Sequence, residues 1–195
     1  MLTQCADRLV KRLIADGIIE RERAGLYSFG FEHGMRTVIE LCLMLMTGLF
    51  LNKFWQGVIV LLAFTPMRVY AGGYHAKTPM QCLIKSWLLF SAAIVWLKYV
   101  PTYLYVQFGI ICAVGICLWC FCPVQDEHKP LEDYEIKKYR KKALFFFTIE
   151  IFLYVLGYIF SKTEFSRCFV MGMAMVLVLL VSGVVKNKRL GETLE

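Results

Sequence analysis

Phe165-Ser-Arg-Cys-Phe-Val-Met-Gly-Met-Ala-Met-Val-Leu-Val-Leu-Leu-Val-Ser-Gly-Val-Val185 carries a single charge, Arg167, near its start. A helix needs about 20 predominantly apolar residues to cross the hydrocarbon core of a bilayer. This run meets that need, and so does Thr102–Cys122, which carries no charged residue at all. Four more stretches follow the same pattern: Phe29–Leu51, Phe54–Ala71, Cys82–Val100 and Ala143–Ser161. The first and third of the six carry charges near their ends, so their boundaries are the loosest. The expected fold is all-α: a polytopic membrane protein of six transmembrane helices with an amphipathic helix ahead of them. Composition agrees, with 58% hydrophobic and 19% charged residues, against about 25% charged in a soluble domain.

The net charge of +7 would suit nucleic acid, but its distribution points to a bilayer instead. With the N-terminus placed in the cytoplasm, only Lys53, Lys98, Lys162 and Arg167 of the 22 Lys and Arg residues fall outside. That is the positive-inside pattern, and six spans with both termini cytoplasmic satisfy it. The implied location is a multi-pass position in the plasma membrane, with the lipid bilayer as partner and no nucleic acid.

The chain reads as one integral membrane domain: an interfacial region over 1–28, a bundle over 29–185 and a cytoplasmic tail over 186–195. The first 20 residues hold no continuous apolar region, so no cleavable signal peptide is expected. Leu2, Cys5, Leu9, Val10, Leu13 and Ile14 recur at helical spacing, with Arg8, Lys11 and Arg12 opposite or flanking. That describes a basic helix lying on the inner leaflet, or one that docks an amphipathic partner. Glu32, Arg36 and Glu40 then fall on one face of the first span as an ion-pair ladder, with Glu40 deepest. Glu150 sits in the middle of the fifth span, where a carboxyl is functional or paired.

Most of the eight cysteines lie within spans and read as small buried apolar residues. Cys117, Cys120 and Cys122 have no compatible histidine nearby, so packing is favoured over zinc, and no metal or cofactor is called for.

One cysteine is different. The segment Arg68-Val-Tyr-Ala-Gly72-Gly73-Tyr-His75-Ala-Lys-Thr78-Pro79-Met-Gln81-Cys82 joins the second and third spans. Thr78-Pro79-Met80-Gln81 has the form of a capping box with Pro at the first helical position. It would start the third span as a helix and set Cys82 in its first turn. The positive end of a helix favours a thiolate, and free N–H groups there would hold an oxyanion. On one continuous helix His75 and Cys82 would stand about 10 Å apart along the axis, too far for proton transfer. Gly72, Gly73 and Pro79 all break helix, so His75 can fold back over the helix start. The pair is a candidate nucleophile and base.

At these residues the chain resembles the accessory gene regulator B (AgrB) family. Arg68, Gly72-Gly73, His75-Ala76 and Cys82 match that family's motif between two spans, and Pro123 with Lys129-Pro130-Leu131 is similar to its loop after the fourth span. The resemblance implies a cysteine endopeptidase with His75 and Cys82 as catalytic dyad. Its substrate would be a small AgrD-type pro-peptide of Gram-positive quorum sensing. The enzyme removes an acidic C-terminal tail, and the signal segment becomes a cyclic thiolactone or lactone. A homodimer is the implied form.

Around the dyad, Arg68 reads as a residue that binds substrate carboxylates or orders the loop. Lys85 and Ser86 lie on the Cys82 face, with Lys85 placed to meet an acidic tail or a lipid headgroup. Gly72, Gly73, Lys129, Pro130 and Glu40 complete the candidate set. Two rivals stand beside this reading: a non-enzymatic exporter or scaffold, which has no need of the dyad, and a thiol enzyme acting on lipid.

Overall fold

The computed structural model describes residues 2–74, 76, 78–124 and 132–192. Seven α-helices are present among them: α1 (Leu2–Ala15), α2 (Ala24–Phe50), α3 (Phe54–Ala71), α4 (Pro79–Tyr99), α5 (Leu104–Phe121), α6 (Asp133–Ile159) and α7 (Thr163–Glu192). The all-α class holds, and the chain is a multi-pass membrane protein. Five helices, α3 to α7, are long and apolar enough to cross a bilayer. The expected first span falls on α2, which is not among the five. Glu32, Arg36 and Glu40 dilute the apolar character of that helix.

Two compact units divide the chain, residues 1–46 and 47–195. In the first, Ala6 and Val10 form the buried face of α1, and Ile19 beyond it is also buried. Cys5 and Leu9, expected on that face, are exposed. Gly17, at φ +70°, lets the chain leave α1 in the left-handed conformation that ends many helices. Ser28 donates to the Asp7 carboxylate, and the Arg36 guanidinium pairs with Glu32, forming the first rung of the expected ladder.

In the second unit α7 is the central helix. Of its apolar stretch 56% lies inside the fold, against 17–39% for the other four spans, so α7 supplies most of the core. Val170, Met173, Met175, Val176 and Leu180 are all fully buried along it. Lipid is as apolar as leucine, so packing in a bilayer is driven by close approach, which small residues permit. Gly172 supplies it here: a Cβ added there would stand 2.6 Å from Ala63 Cβ on α3. Tyr154 of α6 joins Ala63, Phe169 and Val170 in one buried cluster. Large apolar side chains such as Leu62, Ile116, Trp119 and Phe152 face outward, as a lipid-facing surface requires.

The two ends of this unit are pinned by polar contacts. At one end Lys53 Nζ donates to Glu164 at 3.0 and 3.2 Å, and Gln56 donates to the same carboxylate at 2.9 Å. There too the Arg167 guanidinium donates to the Val100 carbonyl at 2.6 Å. Lys53 and Arg167, two of the four cations expected on one side, therefore do gather at one end. The other end carries the Gly-Gly loop. The charged run after the Pro123 turn is the first part of α6 itself, opened by a capping box between Glu132 and Glu135.

Replacing Gly172 by Val forces α3 and α7 apart and costs about 1–3 kcal/mol, the usual price of overpacking. Gly109→Ala, with open space around its Cβ, serves as the neutral control. Thermal unfolding in detergent should show a lowered midpoint for the first and none for the second.

Candidate functional site

The site is built from the end of α3. Gly72 closes that helix at φ +72° and Gly73 follows at φ +120°, both in the region that favours glycine. Space demands glycine as strongly as the dihedrals do. A Cβ on Gly72 would run into the Val124 carbonyl, and one on Gly73 would stand 2.8 Å from the Leu179 carbonyl oxygen on α7. The approach is mutual, because a Cβ on Gly183 would stand 2.8 Å from the Gly73 carbonyl carbon and the Tyr74 nitrogen.

Backbone hydrogen bonds fasten the loop on both sides. Val124 N–H donates to the Ala71 carbonyl at 2.9 Å and Gly73 N–H to the Val124 carbonyl at 3.4 Å. The loop after α5 is thus paired with the loop after α3, which joins the two segments that carry the family resemblance. Tyr74 N–H donates to the Leu179 carbonyl at 2.9 Å. Arg68 braces the turn from within, donating to the carbonyls of Gly72 and, at 2.8 Å, of Tyr74.

On the far side of the loop α4 begins as its sequence requires. Thr78 has extended backbone at the N-cap, its Oγ1 accepts from Gln81 N–H at 3.3 Å, and Pro79 occupies the first turn. Cys82 follows in that first turn, half-buried, with its N–H donating to the Thr78 carbonyl at 3.1 Å. The cap engages the N–H groups of Gln81 and Cys82, and Pro79 has none, which narrows the oxyanion donors expected in this turn.

Lys85 Nζ donates to the Tyr74 hydroxyl at 2.6 Å. Cys82 and Lys85 are three residues apart and share a helix face. The bond therefore ties the residue before His75 to the face of α4 that carries Cys82. Lys186, from α7, stands 5.9 Å from the same ring. Ser86 lies half-buried one turn beyond Cys82. Nearby, Tyr70 stacks on Phe146 and receives Lys142 at 4.8 Å, and Arg140 lies over Trp119. Cations and aromatic rings thus line this end of the bundle.

His75, Lys129 and Pro130 lie outside the described residues. Glu40 is half-buried on α2 and belongs to the other compact unit. Cys117 is half-buried, Cys120 exposed and Cys122 buried, so the three do not share one environment. Gly183, Leu179, Val124 and Tyr74 were not singled out by sequence. Gly183 had a signal, as a glycine in an apolar helix marks close approach of another backbone; the others had none.

A family model described as accessory gene regulator B matches residues 3–180. The chain belongs to the accessory gene regulator B family. Among curated relatives, an AgrB-like protein of Halalkalibacterium halodurans is 29% identical over 153 residues, covering 78% of this chain and 76% of its own. An AgrB-like protein 2 of Clostridium perfringens strain 13 is 26% identical over 164 residues, covering 77% and 76%. No solved structure matches the chain. Membership places this AgrB-family protein in the accessory gene regulator system and agrees with its membrane-spanning helices.

Gly183→Ala pushes the Gly73–Tyr74 backbone off α7 and so disturbs the loop beside Cys82. Alkylation of Cys82 by a maleimide in native membranes, followed site by site by mass spectrometry, should change several-fold, with Gly109→Ala as the unaltered reference. An unchanged rate would mean the loop is not held on α7.

Proposed function

We propose that this AgrB-family protein is a membrane cysteine endopeptidase that cleaves the C-terminal tail from an AgrD-type pro-peptide and promotes cyclisation of the signal segment. The observation that carries the reading is the tie between Tyr74 and Lys85. It joins Tyr74, the residue before His75 in the sequence, to the face of α4 where Cys82 occupies a capped first turn. Family membership over residues 3–180 supports it independently.

In this mechanism His75 takes the proton from the Cys82 thiol, and the thiolate attacks the carbonyl carbon at the signal–tail junction. The tetrahedral intermediate collapses, the C–N bond breaks, and His75 returns the proton to the leaving amine of the tail. An acyl-thioester on Cys82 remains. An internal Cys or Ser of the substrate then attacks that carbonyl, losing its proton to His75 as the Cys82 thiolate leaves and is reprotonated. A peptide bond yields less free energy than a thioester needs, so removal of the tail or export of the ring pulls the reaction forward. The same energetics require water to be kept from the acyl-enzyme, which a substrate-covered site at the membrane surface does.

The cations at this end of the bundle, Lys85, Lys142 and Lys186 among them, suit an acidic tail. Arg68 orders the loop, and Gly72 and Gly73 give it its shape. The Gly-Gly end faces the cytoplasm of a Gram-positive cell, both termini are cytoplasmic, and the working form is a homodimer.

Co-expression with a precursor tests this. Cys82→Ser and His75→Ala, at unchanged membrane levels, should each lower tail release by about 10³-fold or more, because dyad members act as a unit. Unchanged release in both variants would overturn the peptidase and leave an exporter or scaffold.

A further inference from the structure

Away from the Gly-Gly loop, α6 carries an inward polar stripe. Glu150, Tyr154 and Tyr158 follow at intervals of four residues and so share one helix face. The stripe covers about 12 Å of the axis at 1.5 Å per residue. Glu150 and Tyr154 are each only 4% exposed, while Tyr158, nearer the helix end, is half-buried.

Part of this stripe is satisfied. Tyr158 donates from its hydroxyl to Gln107 Oε1 at 3.2 Å, and Gln107 donates from Nε2 to the Thr102 carbonyl at 2.7 Å. The Tyr154 and Tyr158 rings lie 5.1 Å apart. The inner part is not satisfied. Glu150 Oε2 and the Tyr154 hydroxyl, both buried, have no hydrogen-bond partner among the described residues. A carboxyl at this depth is stable only when paired with a cation or when it carries a proton.

The surroundings decide between the two. Tyr154 packs with Ala63 of α3 and Phe169 and Val170 of α7, with Ile59, Ile110 and Ile111 against that cluster; its carbonyl accepts from Ser166, and Tyr158 meets Gln107 of α5. None of these is charged, and the titratable groups on the stripe itself are the two tyrosines. Glu150 makes no ion pair among the described residues. A metal cation needs about six oxygen ligands, and one carboxyl with one phenol falls well short. A proton needs only the carboxyl, and tyrosine hydroxyls both accept and donate.

We propose that Glu150 is an intramembrane proton-binding site. Tyr154 and Tyr158 connect it to the aqueous face at the α4–α5 and α6–α7 connections. Gln107 fixes the outermost hydroxyl of that path. The site lies on a different helix from the Cys82 loop and does not rest on the peptidase reading.

Infrared difference spectroscopy of the full chain in proteoliposomes tests the proposal. The expected result is a protonated-carboxyl carbonyl band that shifts in D₂O, vanishes in Glu150→Gln, and rises and falls with bulk pH. After a pH jump, Tyr154→Phe and Tyr158→Phe should slow its response about tenfold, or about 1.4 kcal/mol in barrier. Glu150→Asp, which keeps an acid but moves its carbonyl frequency, assigns the band even if Glu150→Gln folds poorly. A Glu150 band constant over the pH range of the folded protein would make it a purely structural acid and overturn the proposal. Absence of any Glu150 band, or responses equally fast in both tyrosine variants, would overturn it too.

Discussion

Everything at the Gly-Gly end depends on two backbones meeting without side chains between them. Gly73 lies against α7 where Gly183 leaves room, and Tyr74 N–H donates to the Leu179 carbonyl of that helix. Where a turn is packed against a membrane-spanning helix, its polar backbone groups need partners in protein. The Gly-Gly turn meets this condition through α7 on one side, Val124 on the other and the Arg68 guanidinium beneath. A single Cβ at any of three glycines would break the arrangement.

From that constraint the order of construction follows. α7 must be central, because it receives the loop near Leu179, α3 at Gly172 and the Tyr154 cluster at Phe169 and Val170. Its glycines 172 and 183 stand where neighbours come closest. Lys85 then holds Tyr74 to α4, so the first turn of α4 and the end of α3 form one surface.

The bundle treats its buried polar groups unevenly. Ser166 and Gln107 are satisfied by main-chain carbonyls, the usual remedy in a medium without water. Glu150 Oε2 and the Tyr154 hydroxyl have no partner among the described residues in the same interior. Evenly satisfied groups hold helices together. A carboxyl with an open oxygen at mid-span is the feature on which the proposed proton site rests.

The sequence by itself determined the helical class, the apolar spans, the capped start of α4 and the grouping of Arg68, Gly72, Gly73 and Cys82, because these follow from local composition, periodicity and capping chemistry. It placed the boundaries of α3 to α5 within a few residues for the same reason. Its first expected span falls on α2, whose charges weigh against apolar length and which is not among the five helices long and apolar enough to cross a bilayer. Two of the N–H groups expected free at the start of α4 are taken by the cap. Only the tertiary structure decided that α7 is central, that Gly183 faces Gly73, that Val124 pairs with the Gly-Gly turn and that Arg68 braces a loop. The Arg68 brace is local, but the turn it serves is set by its long-range partners. The rest are contacts between residues far apart in the chain, as between Gly72 and Val124, or close approaches set by missing side chains. No local pattern encodes either, since a glycine in an apolar run states that something comes near without stating what.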